Sequence, residues 1–298
     1  MKILHIPVLC DEIIENLYIH NKTTNIIDCT LGEGGMSEEI LSTIEDVYIF
    51  GIDKDSSILN IAKERLRKYK NIDLINENYI NLSKNKKINK DIHNIIFDLG
   101  LSNYHLRNSN KGFSFDSNNI LDMRFDESEN LTAHQIINQY NKKELLTIFK
   151  EYADFPINSN TNKFIEHIFQ KRPIDTCENL KKICLNFYRN LPYNKAIQNI
   201  TRIFQAIRIE VNNEFENIKN GLENAFNVIE PKGRILAITY HSGEDKIVKN
   251  IFREYKSNNN IEKKFKLINK KVIKPTFEEQ KTNSSSRSAK LRIIERVI

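Results

Sequence analysis

The sequence predicts an α/β fold in which an all-helical insert interrupts a parallel β-sheet. Three observations support this prediction. Short apolar runs alternate with amphipathic segments over the first hundred residues, the alternation stops after residue 104, and it resumes after about residue 200. Such alternation is typical of a parallel sheet covered by helices. We therefore predict a sheet domain at residues 1–106 and 204–298, and an inserted helical domain at residues 107–203.

Four strands are predicted before the insert, from short apolar runs that are rich in isoleucine. They are NIIDCT at 25–30, VYIFGID at 47–53, NIDLIN at 71–76 and HNIIFDLG at 93–100. Apolar residues at helical spacing predict a helix after each of the first two strands. Asp55 or Ser56 is predicted to cap the second of these helices, because both side chains can accept a hydrogen bond from the first turn.

Only helical patterns appear from about residue 131 to residue 200. Residues 175–178 (DTCE) are predicted to form a capping box that opens the helix LKKICLNFY. Beyond the insert, apolar residues from Ile207 to Phe226 predict one long helix. Residues 231–233 (PKG) then predict a turn, and RILAITY predicts a further strand of the sheet.

Length, charge and cysteine spacing limit the class of protein. A chain of 298 residues can bury a sizeable core, and no apolar run approaches the ~20 residues that a membrane span needs. Asp11 and Glu12 come too early for a signal peptide. The four cysteines form no close pair, and no His, Cys or Asp grouping has metal-ligand spacing, so no metal is expected. We expect a cytoplasmic protein with no membrane contact. The net charge of +6 favours an acidic partner, although it could equally reflect genomic base composition.

The string DCTLGEGGMS at residues 28–37 indicates a ligand site. Gly32, Gly34 and Gly35 let the backbone approach a ligand, and the helix that follows offers unpaired N–H groups. Asp53 and Asp98 end the second and fourth strands, where parallel sheets bind ligands. A carboxylate at the tip of the second strand suits a ribose diol. The pattern fits NAD and S-adenosylmethionine equally well, and a purely structural tight turn is the alternative.

Longer strings along nearly the whole chain resemble, in the same order, the landmarks of the RsmH (MraW) family. They are HIPVLCDEII, DCTLGEGGMS, GIDKD, FDLGLS, KGFSF, LDMRFD, TRIFQAIRIEVNNE, YHSGEDKIVK and SSRSAKLRIIERV. The resemblance implies a Rossmann-like class I methyltransferase that uses S-adenosyl-L-methionine. It implies methylation of the exocyclic N4 of a cytosine in the decoding centre of 16S ribosomal RNA, within the small ribosomal subunit. A homodimer is one of the oligomeric states left open.

The resemblance also carries cofactor contacts onto particular residues of this sequence. They fall on Gly34, Gly35, Met36, Asp53, Tyr79, Asp98 and His105. Asp53 would hold the ribose hydroxyls, and Tyr79 would lie against the adenine ring. Met36 stands where the family commonly has histidine, and His105 lies in SNYHL where the family usually reads SSPQL. Gly243 replaces a leucine that is usual after the YHS string.

Catalytic and RNA-binding residues are predicted from the same strings. Asp98 is the first candidate to orient the cytosine amine, although the resemblance assigns it to the cofactor, and Asp122 and His241 are the next candidates. A structural role is the alternative for His241. The cations expected to contact RNA are Lys111, Arg124, Arg202, Arg208, Arg287, Lys290 and Arg292. One of Arg202 and Arg208 could instead pair with Glu210 or Glu214. The lysine run at 84–90 is predicted to be a solvated loop.

Two other functions stay open at this point. The first is a methyltransferase of the same fold that acts on DNA or on a small molecule. The second is a non-catalytic RNA-binding protein built on the methyltransferase scaffold. Retention of Asp53 and Asp98 favours an enzyme over the non-catalytic alternative.

Overall fold

The computed structural model describes residues 7–107, 110–257 and 263–298, and the chain forms two compact units. The sheet unit comprises the residues up to Gly100 and from Phe215 onwards, and the helical unit comprises Leu101 to Glu214. The helical unit extends past residue 203, where we predicted its end, because Phe204 and Ile207 pack in its hydrophobic core. The string HIPVLCDEII begins outside the described residues.

The sheet unit contains a seven-stranded sheet with the order β3-β2-β1-β4-β5-β7-β6. The strands are β1 (Thr24–Asp28), β2 (Val47–Asp53), β3 (Ile72–Asn76), β4 (Ile92–Asp98), β5 (Ile229–Thr239), β6 (Phe265–Leu267) and β7 (Lys290–Arg296). β1 to β5 run parallel, and β7 is antiparallel to both β5 and β6. The four strands predicted before the insert are confirmed, with ends shifted by one or two residues.

The helices are numbered along the whole chain. Among the described residues they are α1 (Cys10–Glu15), α2 (Gly35–Thr43), α3 (Ser56–Leu66), α4 (Asn103–Arg107), α5 (Ala133–Gln139), α6 (Lys142–Ala153), α7 (Ser159–Gln170), α8 (Cys177–Phe187), α9 (Tyr193–Asn212), α10 (Glu214–Val228), α11 (Ser242–Ser257) and α12 (Phe277–Thr282). Within the described ranges, no helix is long and apolar enough to cross a bilayer. All four cysteines are free thiols, and all but Cys10 are buried.

Asp55 caps α3, as one of the two predicted alternatives, because its side chain accepts a hydrogen bond from the Ser57 N–H at 2.8 Å. The predicted capping box at 175–178 is wrong. The cap of α8 is Thr176, which accepts from the Asn179 N–H. Asp175 is therefore outside the helix, and its carboxylate lies 3.0 Å from the His134 ring.

Two further predictions for the chain beyond residue 203 are wrong. The expected long helix from 207 to 226 is two helices, because Asn213 adopts a left-handed conformation (φ 49°) that ends α9. The expected turn at 231–233 lies inside β5, where the register against β4 shifts between Ile92 and Asn94. Lys232 has φ 67°, and a Cβ at Gly233 would lie 2.8 Å from the His93 carbonyl oxygen. The segment is therefore a bulge within a continuous strand.

Candidate cofactor and catalytic site

The glycine turn joins β1 to α2 in a conformation that requires glycine. Gly32 and Gly34 have φ values of 54° and 80°. A Cβ at Gly34 would also lie 2.8 Å from Leu66 of α3, so this position is closed to any side chain. Gly34 is the N-cap of α2, and the N–H groups of the first helical turn lack partners within the helix. The N-terminal end of α2 therefore offers backbone hydrogen-bond donors and a partial positive charge.

Asp28, at the end of β1, holds this turn through two hydrogen bonds. Its carboxylate accepts a hydrogen bond from the Ser37 hydroxyl at 2.7 Å and from the Thr30 N–H at 3.2 Å. The side chain is buried, and burial raises the pKa of Asp28 to about 6, against the effect of these two hydrogen bonds. Asp28 thus fixes the start of α2 relative to the end of β1. The sequence string drew attention to this acid without indicating that role.

Asp53, at the end of β2, is bound to the glycine turn. One carboxylate oxygen accepts a hydrogen bond from the Gly32 N–H and the other accepts from the Asp55 N–H, both at 2.9 Å. The side chain is half-buried. A carboxylate oxygen has two acceptor positions and can accept from a ligand hydroxyl as well as from a backbone N–H. The structure therefore brings Asp53 and the turn together, as a ribose site needs.

Tyr79 follows β3 and opens a 3₁₀ turn over Tyr79–Lys84. Its ring meets Phe97 edge to face, with ring centroids 5.5 Å apart. A Cβ at Gly221 of α10 would lie 2.5 Å from the same ring, so glycine at 221 is what allows the ring its place. Packing on these two sides fixes the ring while leaving it partly exposed. A fixed aromatic surface of this kind suits an adenine ring.

Asp98, at the end of β4, is linked to the loop after β5. The Tyr240 hydroxyl donates to the Asp98 carboxylate at 2.7 Å, and the Asp98 N–H donates to the Thr30 hydroxyl. Burial raises the pKa of Asp98 to about 7; the negative charges of Asp28 and Glu244 add to the rise, and the Tyr240 hydrogen bond opposes it. A carboxylate with a pKa near neutrality can accept a proton during catalysis.

His241 lies in the same loop but is held by its neighbours. Its Nε2 is 3.0 Å from a carboxylate oxygen of the buried Glu244. The Phe215 ring lies beside it, with centroids 5.9 Å apart. A Cβ at Gly243 would lie 2.4 Å from Phe215, so Phe215 fills the space beside this glycine. These contacts favour the structural alternative for His241, and its catalytic role stays a prediction.

Met36 lies in α2, where its side chain packs in the apolar core of the sheet unit and is 6 % exposed. Only its backbone can contact a ligand at the start of α2. The buried thioether explains how a residue other than histidine is accommodated at this position. Sequence reasoning could not have placed the side chain, because that depends on core residues from other elements.

Asp122, Arg124 and His105 are predicted site residues that belong to the helical unit. Asp122 and Arg124 form a bidentate ion pair, with N–O distances of 2.8 Å. Burial alone would raise the pKa of Asp122, but the hydrogen bonds and charge of Arg124 outweigh burial and hold it below its usual value. His105 is buried against Phe113 and Phe125, and its Nδ1 lies 3.0 Å from the Ser102 hydroxyl. The catalytic role of Asp122 and the cofactor role of His105 stay predictions.

Most of the cations predicted to contact RNA have partners within their own unit. Lys111 lies 3.3 Å from Glu127, Arg202 donates to the Ala153 carbonyl, Arg208 forms a bidentate pair with Glu214, and Lys290 and Arg292 share Asp245. The alternative that Arg208 pairs with Glu214 is confirmed. Arg287 is exposed. These ion pairs do not exclude an RNA contact, but they give each of the paired side chains a structural role.

The reversal of strand order between β1 and β4 defines the ligand site of this sheet. The glycine turn, Asp53 and Asp98 all lie at the carboxyl ends of the strands next to this point. A Cβ at Gly32 would lie 3.9 Å from its nearest neighbour, the Thr30 carbonyl oxygen, so the turn is not crowded at this position. Backbone donors, an acid at the place where a ribose diol would need one and an aromatic ring fit S-adenosylmethionine. The fold and site define a Rossmann-like class I methyltransferase that depends on S-adenosylmethionine.

Comparison with known proteins agrees with that class. The chain matches the MraW methylase family over residues 2–297 and belongs to it. Proteins called ribosomal RNA small subunit methyltransferase H are similar over nearly their full lengths. The relative from Sulfurihydrogenibium sp. (strain YO3AOP1) is 40 % identical over 98 % of this chain and 99 % of its own. The relative from Pseudothermotoga lettingae is 36 % identical over 99 % and 100 %.

Solved structures with distant sequences were also found. An rRNA methylase from Streptococcus thermophilus aligns with a TM-score of 0.44 and 11 % identity, covering 97 % of this chain and 94 % of its own. SMU.1697c from Streptococcus mutans, solved in complex with SAH, aligns with a TM-score of 0.45 and 14 % identity, covering 97 % and 95 %.

Proposed function

We propose that this protein methylates the exocyclic N4 of a cytosine in the decoding centre of 16S ribosomal RNA. The main observation in support is the position of Asp98. This half-buried acid lies at the tip of β4, at the proposed cofactor edge of the sheet, and accepts a hydrogen bond from Tyr240. The RNA substrate is supported by relatives called ribosomal RNA small subunit methyltransferase H, which this chain resembles over almost its whole length. Such a reaction takes place in the cytoplasm, on the RNA of the small subunit.

Each residue of the edge has a proposed role in holding the cofactor. Asp53 accepts hydrogen bonds from the ribose hydroxyls, and Tyr79 packs against the adenine. The N–H groups of Gly35 and Met36 at the start of α2 bind the carboxylate of the methionine part. Gly34 has no side chain and so lets the backbone approach that part of the cofactor. A cofactor contact by His105 stays a prediction. When bound, the cofactor supplies a methyl group that is activated by a positively charged sulfur.

Asp98 has the proposed catalytic role. A cytosine amine is a weak nucleophile, because its lone pair is delocalised into the ring. A carboxylate that accepts a hydrogen bond from this amine favours a pyramidal nitrogen, whose lone pair can reach the methyl group in line. As the new C–N bond forms and the C–S bond breaks, the nitrogen loses a proton. Asp98 can take up that proton, because its pKa lies at about 7.

The helical unit has a proposed role in binding the RNA. It carries Lys111, Arg124, Arg202 and Arg208, while Arg287, Lys290 and Arg292 belong to the sheet unit. Arginine and lysine side chains neutralise phosphates along an RNA backbone. Binding of an assembled small subunit rather than free RNA, and a homodimer, stay predictions.

The proposed function is tested by offering the protein a choice of methyl acceptors. Small ribosomal subunits from a strain that lacks this methylation, free 16S RNA, duplex DNA and cytidine are each incubated with methyl-labelled S-adenosylmethionine. Incorporation into the ribosomal RNA alone supports the proposal. Label in DNA or cytidine would favour the other methyltransferase, and RNA binding without any transfer would favour the non-catalytic scaffold.

A further inference from the structure

One face of α11 carries a row of basic side chains that only partly fall within the sequence motifs. Lys246, Lys249, Arg253 and Lys256 follow one another at spacings of three, four and three residues, which places them on one side of a helix. Val248 and Phe252 are buried. The four cations therefore form a stripe about 15 Å long at a rise of 1.5 Å per residue.

A groove of about 60 Å³ lies beside this stripe, within the sheet unit. Lys249 and Arg253 line it from α11, Lys270 lines it from the segment after β6, and Arg292 lines it from β7. Phe252 and Leu267 add apolar surface. No acid is among its lining residues in the described part of the chain. The groove is thus bordered by cations from three different elements.

Apart from Arg292, the cations of this groove differ from the motif cations in their pairing. Arg292 and Lys290 are held by Asp245, whose pKa stays below its usual value because their hydrogen bonds and charges outweigh the effect of burial. By contrast, neither the stripe on α11 nor Lys270 makes a side-chain hydrogen bond or ion pair with any residue in the described ranges. Cations with no partner among the described residues are available to an external anion at little cost in competing interactions.

We propose that this basic groove, formed by the α11 stripe with Lys270 and Arg292, binds the phosphodiester backbone of the RNA substrate outside the catalytic site. The inference rests on the proposed function for the identity of the RNA. A stripe of this length exceeds the size of a single phosphate and matches a run of successive phosphates instead. Lysine and arginine are the side chains that bind phosphate oxygens by charge-assisted hydrogen bonds. The contact positions the RNA without reading its bases.

The experiment measures RNA binding as a function of salt. Binding of unmethylated small subunits is followed at several KCl concentrations in the presence of SAH, which prevents turnover. We compare the parent with the triple variant Lys249→Gln/Arg253→Gln/Lys270→Gln. Loss of three phosphate contacts lowers the magnitude of the slope of log K against log[KCl] by about 2 and weakens binding roughly tenfold at moderate salt.

A matched control loses the same charge elsewhere on the sheet unit. Lys84→Gln/Lys86→Gln/Lys87→Gln alters exposed lysines of the run at 84–90 and is expected to leave the salt slope close to that of the parent. The charge-conserving variant Lys249→Arg/Arg253→Lys/Lys270→Arg should restore the parent slope. Circular dichroism and S-adenosylmethionine binding establish that each variant is folded, and the single variant Arg253→Gln serves if the triple variant is not.

The outcomes separate this inference from the proposed function. If the parent methylates the subunits and the groove variant binds them with the parent slope, the RNA-binding role of the groove is wrong and the proposed methyltransferase function is unaffected. Equal losses in the groove variant and the control would also overturn it, because net charge alone would then explain both. If the parent binds the subunits but transfers no methyl group, the proposed function is wrong. The salt slopes then still show whether the groove binds RNA.

Discussion

The Tyr240 hydroxyl donates a 2.7 Å hydrogen bond to Asp98, which connects the loop after β5 to the tip of β4. Tyr240 is itself fixed, because its backbone N–H donates to the Glu244 carboxylate at 2.7 Å. Glu244 in turn is buried in the first turn of α11. The orientation and charge of Asp98 therefore depend on a residue that is 142 positions away in the sequence.

Replacing Tyr240 by phenylalanine should slow methyl transfer without abolishing it. The variant loses a hydrogen bond to a charged group, which contributes about 1.5–3 kcal/mol in proteins, so we expect a fall in turnover of about tenfold or more. Because the hydroxyl opposes the rise in the pKa of Asp98, its loss should move the acidic limb of the rate profile to higher pH. The measurement is kcat against pH for parent and variant.

Tyr48→Phe provides the control for this effect. Tyr48 also donates to an aspartate, Asp73, at 2.8 Å, but this pair is exposed on β2 and β3. Its loss should change neither kcat nor the pH profile. An unchanged profile in Tyr240→Phe would contradict a positioning role for Tyr240.

Changing Asp98 to asparagine separates catalysis from cofactor binding. The amide still accepts a hydrogen bond from Tyr240 but carries no charge to favour a pyramidal amine. We expect the single-turnover rate at saturating cofactor to fall by about 100-fold or more, comparable to the loss of one preorganised electrostatic contact. A rate within about threefold of the parent, under 1 kcal/mol of barrier, would make Asp98 a binding residue. Asp122 and His241 would then be the candidates to orient the base.

The acids at the sheet edge predict that cofactor binding depends on pH. Burial raises the pKa of Asp98 to about 7 and that of Asp28 to about 6, so both carboxyls bind protons below these values. A positively charged sulfur nearby favours the ionised carboxylates. Binding of S-adenosylmethionine should therefore release protons. Affinity for S-adenosylmethionine should rise between about pH 5.5 and pH 8.

SAH, whose sulfur is uncharged, gives the matched comparison. Its affinity should change less over the same range, and the difference between the two ligands should shrink in Asp98→Asn. Calorimetry in two buffers of different ionisation enthalpy measures the proton release directly. Equal pH dependence for the two ligands would place the sulfur away from these acids.

Asp53→Ala should weaken S-adenosylmethionine binding by about 2–4 kcal/mol, because two charge-assisted hydrogen bonds to the ribose are lost. Asp55→Ala is the control, since it removes the cap of α3 and should cost about 1 kcal/mol of folding stability with little change in affinity. Calorimetric titration and thermal unfolding distinguish the two effects. Parent-like affinity in Asp53→Ala would show that the ribose lies elsewhere.

The parallel half of the sheet was predictable because buried parallel strands are continuous apolar runs, each ending at a polar residue. Asp53 and Asp98 were found for that reason. The break at Asn213 was missed, because asparagine in a left-handed conformation is not marked by glycine or proline. The bulge at 231–233 carries the composition of a turn, and only pairing with β4 keeps it within the strand.

Interactions between distant residues account for most of what the sequence did not reveal. Arg292 was predicted to contact RNA, yet it pairs with Asp245, 47 positions earlier in the chain. The hydrogen bond between Tyr240 and Asp98 likewise joins residues that are far apart in the sequence. The basic stripe on α11 was accessible in principle from its helical spacing. It was missed because the string YHSGEDKIVK includes Lys246 and Lys249 but ends before Arg253 and Lys256.

In the proposed reaction, the methyl group reaches the N4 atom of a cytosine in 16S ribosomal RNA. This reaction is tested most directly by mass spectrometry of nucleosides from small subunits that were treated with the protein and methyl-labelled S-adenosylmethionine. We expect labelled N4-methylcytidine in a fragment from the decoding centre, and its near absence with Asp98→Asn. Label on a ring carbon, on a ribose oxygen or on another base would contradict it.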